Sequence, residues 1–251
     1  MSQRTSETAF GSREEPAGVS TPDTVSGDGY EHAAGGLGAH HEWLLPTLER
    51  HVAALVSRPG RHRAFDLGCG NGAVAHWLAG KGWEVAGVDP SKSGIASASR
   101  SYPGLRLEQG SCYDDLAARF GQFELVVSLE VVEHLFFPRI WAQRVFELLV
   151  PGGTAIVSTP YHGYWKNLAL AVTGRMDAHF CALWDYGHIK FWSAATFGTL
   201  LSEAGLRVER IERVGRISVL AKAMVASVIR PEAGSHFFGP STDRTVTMVS
   251  R

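Results

Sequence analysis

Long apolar runs are missing from this chain: nowhere in its 251 residues do the ~18 uninterrupted apolar residues of a membrane-crossing helix occur. Cysteine is scarce. Cys69, Cys112 and Cys181 are odd in number and far apart, which speaks against a disulfide framework or a cysteine-ligated zinc site and fits reduced thiols. Charge of one sign is also lacking. With 24 basic and 25 acidic side chains and a net charge of -1, no overall field gathers nucleic acid or anionic membrane. Lys and Arg are scattered, and the densest cluster, Arg58 with Arg61, His62 and Arg63, reads as a solvated loop. The first residues, MSQRTSETAFGSREE, contain no apolar signal core. A soluble, cytoplasmic protein is expected.

What is present suits one sizeable core: 45% of the residues are hydrophobic and 20% charged, and the length favours one main domain. Residues 1–38 are rich in Gly, Ser, Thr and acids without periodicity, so a disordered leader is expected there. The end of that leader, residues 25–41 with Tyr30, His40 and His41, is a candidate to fold over a ligand. Residues 39–230 read as the folded domain and 231–251 as a mobile tail. Helical spacing resumes from His41 through Trp43, Leu44, Leu48, Val52 and Leu55. Strand-like runs then follow at Ala64 to Leu67, Glu84 to Val88, Leu105 to Glu108, Phe123 to Ser128 and Thr154 to Ser158. Helical stretches lie between them, near 72–81, 91–101, 113–120 and 138–149. This alternation predicts an α/β fold with a parallel sheet covered on both faces. After a break near residues 159–192, a helix from Ser193 to Ala204 and strands at Arg207 to Val214 and Ile217 to Ala223 complete the reading.

The most informative stretch is FDLGCGNGAVAHWLAGKGWEVAGVDPS, residues 65–91. Gly68 and Gly70 permit a tight turn and close approach of a ligand to the backbone, and the next helix offers unpaired N–H groups. Asp89 ends the second strand, where an acid can accept hydrogen bonds from both ribose hydroxyls. A nucleoside-containing cofactor fits, and a solvated turn is the bland alternative. A dinucleotide also satisfies G-x-G-x-x-A. Asp66 argues against it, because an acid two residues before the first glycine repels a pyrophosphate and attracts a cationic amino group.

The second stretch is FELVVSLEVVEHLFFP, residues 123–138. Glu130, Glu133 and His134 are spaced to share one face of a short helix at the carboxyl end of a strand. Two acids and an imidazole that close shift one another's pKa values unless a proton or cation sits between them. Equally, Glu130 could simply complement helix N–H groups, and His134 pack without chemistry.

The motif D-L-G-C-G-N-G, Asp66 to Gly72, together with Asp89, Gly110-Ser111-Cys112-Tyr113 and Leu149-Val150-Pro151-Gly152-Gly153, resembles the class I S-adenosylmethionine-dependent methyltransferases over roughly residues 40–225. The resemblance implies a Rossmann-like sheet of seven strands, the last antiparallel. It implies S-adenosylmethionine held by Asp66, Gly68, Gly70, Asn71, Asp89 and Glu130, with adenine against Ser111, Cys112 and Tyr113. More narrowly, E-x-x-E-H after the fourth strand is similar to the ubiquinone-pathway O-methyltransferases and to small-RNA 2′-O-methyltransferases. That similarity implies a metal set of Glu130, Glu133, His134 and a downstream His188, with Mg²⁺ chelating vicinal hydroxyls of the acceptor. Without metal, His134 or His188 would be the general base.

The break at residues 159–192 concentrates aromatics, among them Tyr161, Tyr164, Trp165, Trp184 and Tyr186. It reads as a lid supplying apolar walls for a small-molecule acceptor. Leu168 to Val172 could also form a short amphipathic helix touching a membrane surface, although few basic anchors accompany it. The leading expectation is an O-methyltransferase of a small molecule with neighbouring hydroxyls, such as a catechol, a quinol or a sugar of a secondary metabolite. The alternatives are N- or C-methylation with a histidine base, an RNA methyltransferase, a non-catalytic cofactor-binding protein and an NAD-linked oxidoreductase. Neither the net charge nor a basic-aromatic stripe supports the RNA reading.

Overall fold

The computed structural model describes residues 36–38, 41–57, 60–180, 182–215 and 221–232. Seven strands form one sheet: β1 (Arg63–Leu67), β2 (Glu84–Asp89), β3 (Arg106–Gln109), β4 (Phe123–Leu129), β5 (Leu149–Pro160), β6 (Arg207–Val214) and β7 (Ala223–Ile229). Their order is β3-β2-β1-β4-β5-β7-β6. The first five run parallel, and β7 pairs antiparallel with both β5 and β6. This is the Rossmann-like α/β sheet with an antiparallel last strand that the motifs imply.

Alternation along the strands builds two cores, because successive side chains point to opposite faces. Ala64, Leu125, Val127 and Ile156 face one side, where α1 (His41–Val56), α2 (Ala73–Gly80) and α3 (Lys92–Ser101) pack. Phe65, Leu67, Val126 and Val157 face the other, under α4 (Leu116–Phe120), α5 (Pro138–Leu148) and α8 (Ala194–Glu203). Trp141 of α5 is fully buried there. Its Nε1–H donates to Ser128 Oγ (3.2 Å), which in turn donates to Leu67 O (2.8 Å), so the indole and the buried hydroxyl beneath α5 are both paired. The strand order reverses between β1 and β4, which opens a crevice above their carboxyl ends.

The last strand was expected at Ile217 to Ala223. Residues 216–220 fall outside the described residues, and β7 occupies Ala223–Ile229. That run is buried on both faces, Met224, Ala226 and Val228 toward the core under α8 and Ala223 and Val225 toward the core under α1, while β5 and β6 cover its edges. β5 also begins earlier than expected: Leu149 pairs with Phe123 before a register shift at Phe123/Leu125. The expected single helix carrying Glu130, Glu133 and His134 does not form. Glu130 takes a left-handed φ of 56°, and only Val132–His134 make one 3₁₀ turn. The backbone N–H of Glu130 is drawn instead to Ser158 O (3.3 Å) and Ser158 Oγ (3.1 Å) on β5.

The break after β5 contains α6 (Tyr164–Val172) and α7 (Met176–Phe180). The leader before residue 36, with Tyr30, and the tail from residue 233 lie outside the described residues, as do His40 and Cys181.

Candidate functional site

The crevice at the carboxyl ends of β1, β2 and β4 is shaped first by the glycine turn. Gly68 has φ 89°, and its N–H bonds back to Val88 O at 2.9 Å. A Cβ there would come within 2.4 Å of Val131 Cγ2, so the position excludes every side chain on two grounds. Gly72 caps α2 in the left-handed region, with no side-chain cap, and Ala73 N–H donates to Asn71 Oδ1 at 3.2 Å. The Asn71 amide donates to Gly36 O at 3.1 Å. That contact carries the end of the leader, residues 36–38, to the glycine turn.

Two acids flank this turn. The Asp89 carboxylate accepts from Gly70 N–H (2.9 Å) and Ser91 N–H (2.8 Å), which fixes its orientation at the carboxyl end of β2, where a ribose hydroxyl would approach. Asp66 is buried, and its Oδ2 has no hydrogen-bond partner. Burial, reinforced by the nearby Asp89 charge, pushes Asp66 up to about 7. An orphaned buried carboxyl oxygen asks for a cationic partner, and an amino group on the cofactor would supply one.

Beyond β3, Ser111 Oγ accepts from Tyr113 N–H (3.1 Å), and Tyr113 Oη accepts from Phe137 N–H (3.2 Å). The loop is thereby tied to the segment following β4. Burial drives the Cys112 thiol up to about 12, so it lines this loop as a neutral, soft surface.

The E-x-x-E-H stretch is divided by the backbone. Glu130 Oε1 accepts from Ser158 Oγ at 2.8 Å, and burial raises its carboxyl to about 7 against the Ser158 bond and the Lys166 charge. Glu133 is fully buried. Its Oε2 accepts from Thr159 Oγ1 at 3.1 Å, and its Oε1 has no partner. His134 Nε2 and His188 Nε2 each stand 4.0 Å from that oxygen. Glu133, His134 and His188 each offer one ligand atom, all within 4.8 Å of one another. Glu130 is not part of this group of three.

Electrostatics sharpen the picture. Burial and then Glu130 hold the Glu133 carboxyl well above the usual range. Burial lowers His134. Burial followed by repulsion from His134, His179 and Lys166 lowers His188 to about 4. At 4.0 Å the contacts are too long for hydrogen bonds. With the imidazoles pushed toward neutral and the carboxyl toward protonated, they are not ion pairs either. The arrangement is a buried oxygen and two imidazole nitrogens converging on one point.

The lid residues separate into three kinds. Tyr161 is buried at the lid's base, with the Arg213 guanidinium 4.9 Å from its ring centroid. Tyr164 and Trp165 pack edge to face on α6 and are 72% and 63% exposed. Trp184 is the aromatic that reaches the cluster, with ring centroids 6.5 Å from His134 and 5.6 Å from His188. Tyr186 is exposed, and its carbonyl meets His134 Nδ1 at 2.9 Å. A cavity of about 510 Å³ adjoins Trp184, lined by Met176, Asp177, Phe180, Ala182 and Leu183.

Sequence reasoning missed Ser158, Thr159 and Lys166. The first two end β5 beside β4 and hold the two glutamates. A pair of hydroxyls at the carboxyl end of a strand next to the acid-bearing one was the available signal.

A family model described as a methyltransferase domain matches residues 40–211. The ubiquinone biosynthesis O-methyltransferase of Bradyrhizobium diazoefficiens is 35% identical over 141 residues, 55% of this chain and 54% of that protein. The chain thus spans about half the length of that relative. The protein of the same name from Cereibacter sphaeroides is 30% identical over 183 residues, covering 70% and 71%. Among solved structures, an S-adenosylmethionine-dependent methyltransferase from Mesorhizobium loti superposes with a TM-score of 0.56 at 19% identity, covering 72% of this chain and 96% of that one. The methyltransferase domain of bacterial CtHen1 gives 0.57 at 22% identity, covering 75% and 98%. At these identities the structural likenesses show the fold.

Proposed function

The chain belongs to the class I S-adenosylmethionine-dependent methyltransferases, and from that premise we propose that it is an O-methyltransferase of a small molecule with vicinal hydroxyls. A catechol, a quinol or a sugar of a secondary metabolite meets that description. The observation that carries this reading is the orphaned, buried Glu133 Oε1 between His134 Nε2 and His188 Nε2. The two acceptor hydroxyls would lie toward this cluster, across the crevice from Asp66 and Asp89.

A divalent cation fits the cluster, because an unpaired carboxylate oxygen and two imidazoles are a ligand set and the 4.0 Å separations leave room for an ion. Glu133, His134 and His188 would hold it, and when bound it supplies Lewis acidity that lowers the pKa of a neighbouring hydroxyl. Mg²⁺ is the ion the motif resemblance implies; two imidazoles suit Zn²⁺ better, and the carboxylate suits Mn²⁺ as well as Mg²⁺. Thr159 fixes Glu133 by holding Oε2. In the family's reaction the donor methyl is already activated, so this chain's part is in-line positioning and removal of the acceptor proton. Without a metal, His134 Nε2 would be the base that takes that proton, which suits N- or C-methylation; with an ion bound, that lone pair is occupied and the ion's acidifying effect serves instead.

Trp184 and the cavity beside it would receive the apolar part of the acceptor. The outward aromatics of α6, Tyr164 and Trp165, are suited to peripheral contact with a lipid surface. No helix among the described residues is long and apolar enough to cross a membrane.

The test is transfer of a radiolabelled methyl from S-adenosylmethionine to vicinal diols and to their mono-hydroxy analogues, with Mg²⁺ or Mn²⁺ and with EDTA. Transfer confined to the diols and abolished by EDTA is expected. Transfer indifferent to EDTA would move the reading to the histidine base alone, and equal turnover of the mono-hydroxy analogues would defeat the vicinal acceptor.

A further inference from the structure

Two non-glycine residues among those described have a left-handed backbone, Glu130 (φ 56°) and Tyr186 (φ 59°), and both border the cluster. An L side chain adopts this conformation rarely, and such outliers persist where the surroundings over-determine them. Glu130 owes its conformation to β5. Tyr186 has another explanation.

Gly187 N–H donates to Trp184 O at 3.0 Å, which makes Trp184 to Gly187 a turn with Tyr186 in its third position. Positive φ at that position favours glycine or asparagine. The following residue is equally constrained: a Cβ on Gly187 would meet Trp184 O at 2.8 Å. Two residues further on, the N–H groups of Ile189 (2.9 Å) and Lys190 (3.0 Å) both donate to Glu133 O. The corner is therefore bolted to the 3₁₀ turn that carries Glu133 and His134. Its two successive carbonyls, Tyr186 O at 2.9 Å and Gly187 O at 3.3 Å, converge on His134 Nδ1.

A carbonyl oxygen only accepts, so Nδ1 must carry the hydrogen. We infer that the Tyr186–Gly187 corner is a positioning element for His134: its carbonyls hold the imidazole as the Nδ1–H tautomer, so that the unprotonated Nε2 faces Glu133 Oε1 and His188. Tyr186 acts through its backbone, and its ring is dispensable to this role. The same segment delivers His188, so one loop sets both imidazoles. The inference deepens the reading above, on which it rests in treating Nε2 as the atom that ligates or takes a proton.

The experiment is nitrogen-resolved NMR of the histidine side chains in the full chain, with His134 assigned by comparison with His134→Gln. It is read at pH 8, without donor, acceptor or metal. The wild type should show His134 protonated at Nδ1 and bare at Nε2. Tyr186→Gly and Tyr186→Asn both allow positive φ and should keep that signature, whereas Tyr186→Val should shift it toward the Nε2–H form. In parallel, Mn²⁺ affinity measured by electron paramagnetic resonance should fall about 10-fold or more in the valine variant and be retained with glycine and asparagine. A wild-type His134 protonated at Nε2 would overturn the inference even if the valine variant failed to fold. So would a folded valine variant with unchanged signature and affinity. Absent diol-specific transfer with the Nδ1–H signature intact would instead sink the proposed acceptor and leave this inference standing.

Discussion

Thr159 donates its hydroxyl to Glu133 Oε2 at 3.1 Å, and this leaves the other oxygen of the same buried carboxyl turned, without a partner, toward two imidazoles 4.0 Å away. The geometry depends on a residue of β5 that touches neither imidazole. Thr159→Val keeps the shape but removes the donor, so Glu133 is free to rotate. Divalent-ion affinity should fall about 10-fold, in the range for loss of a hydrogen bond that orients a ligand. Glu133→Gln, which removes the ionisable carboxyl that an ion would draw into its charged form, should fall further. Titration with Mn²⁺ checks both, and equal affinities in wild type and Thr159→Val would show that the threonine only fills space.

Asp66 makes the ligand-free protein sensitive to pH. Its folded value of about 7 stands above its ordinary 3.8, so the fold binds a proton that the unfolded chain has released. The contribution is therefore complete below about pH 4 and is lost as pH rises toward 7. The difference corresponds to roughly 4 kcal/mol as an upper bound. Glu130, raised to about 7 from 4.5, acts with the same sign. Thermal unfolding between pH 4 and 8 should show Tm falling with pH, and Asp66→Asn should flatten the slope. Saturating S-adenosylmethionine should flatten it too, because a cationic amino group favours the ionised acid. An unchanged slope in Asp66→Asn would refute the assignment.

Gly68 combines a positive φ with a Val131 side chain packed where a Cβ would stand. Gly68→Ala should lower stability by about 2–4 kcal/mol, from backbone strain plus the clash with Val131, and should weaken cofactor binding at least tenfold. Adding Val131→Ala relieves the clash and leaves the strain, so the double variant should recover part of the stability. Denaturant unfolding of the two variants separates the two causes. Full recovery would mean that sterics alone excluded the side chain.

The sheet was legible where local pattern and tertiary environment agree. β1, β2 and β4 are short, mainly apolar runs followed by glycine, proline or helix signals, β3 is polar apart from Leu107 and is marked by the glycine after it, and their limits moved by a residue or so. β7 was misplaced because Ala223–Ile229 is buried on both faces, so it has no alternation to mark it as a strand. The spacing of Glu130, Glu133 and His134 matched a helix, yet the serine at the end of β5 captured the Glu130 N–H and broke it. Such a contact joins residues 28 apart in sequence, and no local period encodes it. The cofactor turn was readable because glycine itself records the backbone requirement. The lid aromatics were visible as a composition, but which of them reaches the cluster depends on how α6 and α7 fold back.

That division of the lid gives the last prediction. Trp184 stands against His134 and His188, whereas Tyr164 and Trp165 face outward from a helix with no buried residue. Trp184→Ala should therefore cut kcat/KM for a water-soluble diol by about 10-fold or more while leaving S-adenosylmethionine affinity unchanged. Removal of an aromatic wall beside the two imidazoles acts on acceptor binding, not on a donor seated against β1 and β2. Tyr164→Ser with Trp165→Ser should leave that kcat/KM unaltered. The same double variant should lose association with phosphatidylglycerol vesicles in a flotation assay, because interfacial aromatics supply the apolar contact of a helix lying on a membrane. If it loses turnover of the soluble diol instead, α6 closes over the acceptor and its aromatics belong to the substrate site. If it changes neither, the exposed pair contributes to neither function, and the case for a lipid surface fails.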